Sequence, residues 1–84
     1  MNGNVHNYYE TRVFDELDRQ IAELQIKVSE DQFDDMACIA LNQLPSRYVR
    51  YDIDTTFYAT PEEIQKMRLA VKSAVSMAIN KILA

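Results

Sequence analysis

Phe33-Asp34-Asp35-Met36-Ala37-Cys38-Ile39-Ala40-Leu41-Asn42-Gln43-Leu44-Pro45 decides the fold. Phe33, Met36, Ala37, Ala40, Leu41 and Leu44 keep the i, i+3, i+4, i+7, i+8, i+11 spacing of one face of an α-helix. Cys38 and Ile39 widen the apolar arc on both flanks, leaving Asp34, Asp35 and Asn42 as polar breaks. A helix apolar around most of its circumference packs on more than one side. The pattern predicts a central helix over residues 32–44, with Cys38 as a small core residue. Pro45 ends it, because proline has no amide for the ladder and biases Leu44 out of the helical region. In the polar link before it, Ser29 or Asp31 is the N-cap.

Toward the N-terminus, Glu10, Phe14, Leu17, Ile21, Leu24 and Val28 fall on one stripe at about 100° per residue. That spacing predicts a first helix over residues 7–28, preceded by a frayed start at 1–6. Toward the C-terminus, Val49, Tyr51 and Ile53 alternate with Arg50, Asp52 and Asp54. This predicts an extended segment over 47–54 with one dry and one charged face. A lone strand leaves its backbone unpaired, so another segment or a two-fold mate must complete it. Thr60-Pro61-Glu62-Glu63 then combines a capping box, Pro at the first helical position and negative charge at the positive helix end. The last helix is predicted over 61–83, with Ile64, Met67, Val71, Ala74, Val75, Ala78 and Ile82 on its apolar face.

The expected fold class is therefore mainly α, with three helices (7–28, 32–44, 61–83) and one short extended segment in a single domain. Only one Gly and two Pro in 84 residues fit long helices better than a many-stranded sheet. A chain of this length buries only about 60–65% of its unfolded surface, so a partner chain, disulfides or a metal must help hold it. One Cys and one His exclude a disulfide framework and speak against a structural metal, which leaves idealised helix packing or self-association, and an oligomer is expected. A formal charge of −4 disfavours wholesale binding to nucleic acid. No run approaches the apolar length of a membrane span, and Met1-Asn2-Gly3-Asn4 carries no export signal. With a lone thiol, a reducing cytoplasm is the expected location.

No glycine-rich phosphate loop, paired-cysteine or H-x-x-x-H metal motif, or Gly-x-Ser-x-Gly elbow is present, and no catalytic activity is expected. His6 reads as a solvated terminal histidine. Three features stand out. Glu10 lies on the apolar stripe with Asn7 one turn earlier, and a buried carboxylate needs a partner. It either caps a backbone or forms a core salt bridge, or it fixes an arginine at a binding site. Arg47-Tyr48-Val49-Arg50-Tyr51 places two of nine basic residues beside two of five tyrosines in an acidic chain. Guanidinium groups offer forked donors to phosphate, and both groups stack on flat rings. The alternative is an exposed strand with surface charges. Tyr8 and Tyr9 with Phe57 and Tyr58 belong either to an interface or to a stacking pocket.

These residues resemble the ComFB (late competence development) family of small bacterial proteins. His6-Asn7-Tyr8-Tyr9-Glu10, followed by Val13-Phe14 and Leu17, is similar to the family's N-x-x-E start to its first helix. Ala40-Leu41-Asn42-Gln43-Leu44-Pro45-Ser46-Arg47-Tyr48-Val49 resembles its A-L-N-x-L-P-P-R-Y-V signature. Together the blocks span the first 50 residues, and the last helix matches in kind. Two departures matter. Residues 29–35 hold no cysteine where relatives often carry a zinc-binding cluster, so no zinc is expected. Ser46 replaces the second proline.

The resemblance implies a compact helical homodimer. It also implies a receptor for cyclic dinucleotides such as cyclic di-GMP, linked to competence, motility or pili and acting on an effector protein. Carried over, Arg47, Tyr48 and Arg50 are ligand-binding candidates, with Glu10, Asn7 and Asn42 as orienting residues. The alternative class is a small dimeric adaptor acting only through protein–protein contacts.

Overall fold

The computed structural model describes residues 4–84, so the first three residues of the frayed start lie outside the described residues. The element order is β1 (His6–Asn7), α1 (Tyr9–Leu24), α2 (Glu30–Gln43), β2 (Tyr48–Val49), α3 (Asp52–Tyr58) and α4 (Pro61–Leu83). The mainly helical reading holds, with four helices rather than three among the described residues.

α2 packs against both α1 and α4, as its broad apolar arc requires. Its interface with α4 is the most extensive in the molecule. Ala37 and Ala40 on α2 and Ala74 and Ala78 on α4 are all buried, and small side chains permit a close helix approach. Val13, Leu17, Met36 and Val75 are the largest fully enclosed side chains. Of the two N-cap candidates before α2, Ser29 rather than Asp31 takes the role, and Thr60 caps α4 as predicted. Ser29 and Thr60 each accept from the N3 amide, while Gln32 and Glu63 reach back to the cap amides. Cys38 is exposed, contrary to its core reading, because α1 and α4 cover only the side of α2 that carries Met36, Ala37 and Ala40.

α1 departs from its predicted register. The buried positions are Tyr9, Val13, Leu17 and Gln20. Glu10 is exposed, and Phe14 and Leu24 keep 41% and 56% of their surfaces in water. The stripe is turned by one residue because Gln20 makes an adequate core residue once its amide is satisfied. Its Nε2 donates to Glu16 and to the Lys72 carbonyl, and its Oε1 accepts from Ser76. Glu10 is therefore no buried ion pair. The helix is also shorter than 7–28. Asn7 belongs to β1, and Gln25 turns left-handed (φ 56°). There the Gln25 amide donates to Ala22 and the Ile26 amide to Ile21, the paired bonds that close a helix C-terminus.

The 47–54 segment is corrected most. Only Tyr48–Val49 is a strand, and its partner is β1 of the same chain, antiparallel with His6 opposite Val49 and Asn7 opposite Tyr48. From Asp52 the chain is helical. Asp52 and Asp54 occupy the first turn of α3, where carboxylates favour the helix dipole. The expected dry face breaks up, with Val49 half-buried while Tyr51 and Ile53 are exposed.

Candidate functional site

The β1–β2 ladder sets the position of the arginine–tyrosine run. The Tyr8 amide donates to the Arg47 carbonyl at 2.6 Å. Asn7 Oδ1 accepts from the Tyr9 and Arg47 amides, each at 3.1 Å. Asn7 is buried, so this single oxygen starts α1 and pins the chain after Pro45 at once. It is a positioning residue whose side chain faces inward.

Arg47 and Tyr48 project outward from this support, and Tyr48 is 68% exposed. Arg50 donates from Nη2 to the Tyr51 hydroxyl at 3.2 Å, with its guanidinium 5.0 Å from the Tyr51 ring centre. Neither Arg47 nor Arg50 forms an ion pair among the described residues. The positive charge of Arg47 reaches Tyr9 and Glu63. Burial holds the Tyr9 hydroxyl above its ordinary range and Arg47 partly offsets this. Glu63 is held low first by the Thr60 amide, with Arg47 adding to the effect. Of the remaining candidates, Glu10 is exposed on α1 and close enough to favour a charged His6, while Asn42 is exposed on α2 with no bond to the others. The structure therefore joins Asn7, Arg47 and Tyr48, and leaves Asn42 apart.

Sequence reasoning missed the cluster beside this run. Asp52 accepts from His6 Nε2 at 2.5 Å and from Arg12 Nη1 at 2.7 Å. The Arg12 guanidinium lies 3.9 Å from the Tyr8 ring centre, an i, i+4 cation–π pair whose spacing was visible in the sequence. His6 is thus a partnered residue rather than a solvated one. Asp52 raises the His6 pKa, and His6 with Arg12 lowers that of Asp52.

A protonated His6 binds Asp52 better, so its contribution is whole below its ordinary value of 6.5 and fades as pH rises through the raised folded value. The Asp52 contribution is present above 3.8 and fades as pH falls through its lowered value. The Tm difference between wild type and His6→Gln should be largest near pH 5.5 and shrink by pH 8.5. A constant difference across that range contradicts the link.

A groove of about 450 Å³ runs between α1 and α4 beside α3. Arg12, Arg19 and Arg68 line it with Tyr9, Met67 and Val71, and Arg12 and Arg19 are already paired with Asp52 and with Glu16 and Glu23. Arg47 and Arg50 do not line it. Among the described residues, no group of three or more His, Cys, Asp or Glu is placed to hold a metal ion, and no helix is long and apolar enough to cross a membrane.

The family model described as Late competence development protein ComFB matches residues 6–84. The chain belongs to the ComFB family. The match carries the relationship beyond the two sequence blocks, through α3 and α4 to the last residue. No curated protein and no solved structure is a significant match. In this ComFB-family chain the stretch Asn42-Gln43-Leu44-Pro45-Ser46-Arg47-Tyr48 has a clear structural role. It ends α2 and hands the chain to the β1–β2 ladder, where Asn7 receives it.

Proposed function

We propose that this ComFB-family protein is a non-enzymatic cytoplasmic signalling protein. As a homodimer it binds a cyclic dinucleotide of the cyclic di-GMP type and passes the signal to an effector protein in competence, motility or pilus control. The observation that carries this reading is the pair of guanidiniums without an ion pair among the described residues, Arg47 and Arg50, displayed with Tyr48 and Tyr51 on a backbone held by Asn7. Two phosphates and two purines call for this combination, with forked donors for the phosphates and ring faces for the bases. Glu10, exposed in the first turn of α1, is the orienting candidate on this side, whereas Asn42 lies apart on α2.

Arg47→Ala removes a charge-assisted contact of about 1.5–3 kcal/mol, or roughly 10- to 100-fold in affinity. The residue is exposed, so the Tm of the free protein should stay within a few degrees of wild type. The check is a thermal-shift titration of both proteins with cyclic di-GMP and cyclic di-AMP. Equal shifts for wild type and Arg47→Ala contradict the assignment. Under the adaptor reading, Arg47→Ala weakens a protein complex with no nucleotide present.

A further inference from the structure

α3 is held from its inner side alone. Thr55 is its one buried side chain, and Asp52 ties its first turn to His6 and Arg12. The outer side is uncovered, with Ile53, Phe57 and Tyr58 at 69%, 78% and 79% exposure. Residues three and four apart are neighbours on a helix, so Ile53 adjoins Phe57, and Asp54 adjoins both Phe57 and Tyr58. The Phe57 and Tyr58 rings meet edge to face with their centres 5.4 Å apart. At the roughly 150–250 Å² that an aromatic side chain buries, this face leaves about 300–400 Å² of apolar surface in water. Single exposed apolar residues are ordinary, but a contiguous patch of that size often serves recognition.

The charges around the patch select its partner. Residues 51–65 hold four carboxylates, Asp52, Asp54, Glu62 and Glu63, and no Lys or Arg. Two of the four are used internally, Asp52 in its ion pairs and Glu63 in the Thr60 capping box. Asp54 and Glu62 are exposed and form no ion pair among the described residues. A carboxylate beside aromatic rings suits a Lys or Arg side chain, which gains an ion pair and a cation–π contact together. The same acids disfavour an anionic lipid surface or a nucleic acid.

We propose that the outer face of α3 docks the effector protein, and that the effector presents a basic amphipathic segment. Its apolar side chains lie against Ile53 and Phe57, and a Lys or Arg meets Asp54 and the Tyr58 ring. The inference rests on the effector role in the proposed function and names the chemistry of that partner. The face begins directly after Tyr51, so the nucleotide and effector surfaces are consecutive in the chain without sharing a side chain. Its small area fits a transient signalling contact.

Amide NMR shifts on the isotope-labelled full chain, without nucleotide, test it. The probe is a synthetic amphipathic helical peptide of Leu and Arg, and its control carries Glu at every Arg position. The basic peptide is expected to shift the amides of residues 53–58 saturably, and the acidic one to leave them in place. Phe57→Ser should weaken binding about tenfold or more and Asp54→Asn about threefold or more. Far-UV circular dichroism should be unchanged in both, since both residues are exposed. Leu69→Ser, which removes an exposed leucine from α4, should bind as wild type. No binding of the basic peptide, equal binding of the acidic one, full binding by Phe57→Ser, or shifts confined to residues 47–51 overturns the proposal. So does a lower sedimentation mass for Phe57→Ser, which would give the face to a second copy. Arg47→Ala separates this from the nucleotide reading, because it should lose nucleotide affinity and keep the peptide, whereas Phe57→Ser should do the reverse.

Discussion

Leu17→Ala is expected to cost the fold about 2–5 kcal/mol, the range for deleting a fully enclosed leucine. Leu17 has no solvent exposure and lies in the seam that α1 shares with α2 and α4. A domain of 84 residues has a total stability of roughly 4–13 kcal/mol, so this one change removes a large share of it. In Tm the loss is on the order of 10–30 °C, at about 4–8 °C per kcal/mol for a domain of this size.

Urea unfolding monitored by circular dichroism measures the loss, and Leu24→Ala is the control. Leu24 lies on the stripe that the sequence pattern nominates, yet more than half of it is in water. Its truncation should cost under about 1 kcal/mol. Equal losses at Leu17 and Leu24 contradict the rotated register of α1.

Asn7→Ala is expected to cost about 2–4 kcal/mol. The substitution deletes one oxygen and strands two amides, those of Tyr9 and Arg47, each carrying a desolvation penalty of about 1–3 kcal/mol when left unpaired. Two consequences separate this from ordinary destabilisation. Amide exchange at Tyr9 and Arg47 should accelerate ahead of the core, because the first turn of α1 and the start of β2 lose their shared anchor. Asn7→Asp should recover more than half of the stability, since a carboxylate oxygen accepts both bonds. If Asn7→Asp is as damaging as Asn7→Ala, the acceptor role is wrong. The alanine variant should also weaken nucleotide binding without touching the ligand, because Arg47 loses its support.

What the sequence disclosed follows from how local each determinant is. The caps at Ser29 and Thr60, the stop at Pro45 and the burial of Met36, Ala37, Ala40 and Val75 arise from interactions within a few residues or along one helix face, and pattern reading found them. The register of α1 is not local. It depends on Gln20 finding partners at Lys72 and Ser76, more than fifty residues away, and a polar residue there disguised the true stripe. α3 was hidden for a related reason. Alternation from Val49 to Asp54 mimics a strand, and only the paired acids of the first turn, Asp52 and Asp54, hinted at a helix start.

For the candidate site, the exposed Arg47, Tyr48 and Arg50 were legible because the run is continuous in sequence. The Asp52 cluster was not, because it joins residues from β1, α1 and α3 that are forty or more positions apart. Asn7 was singled out as an orienting residue, and in the structure its side-chain oxygen holds the Tyr9 and Arg47 amides rather than facing outward.

The central claim is that the surface carrying Arg47, Tyr48 and Arg50 binds a cyclic dinucleotide. Isothermal titration calorimetry of the wild-type protein with cyclic di-GMP, and separately with cyclic di-AMP, tests it most directly. The account predicts saturable heat with at least one of the two at tens of micromolar ligand, weakened roughly 10- to 100-fold by Arg47→Ala. No heat with either ligand, or heat that Arg47→Ala leaves unchanged, contradicts it.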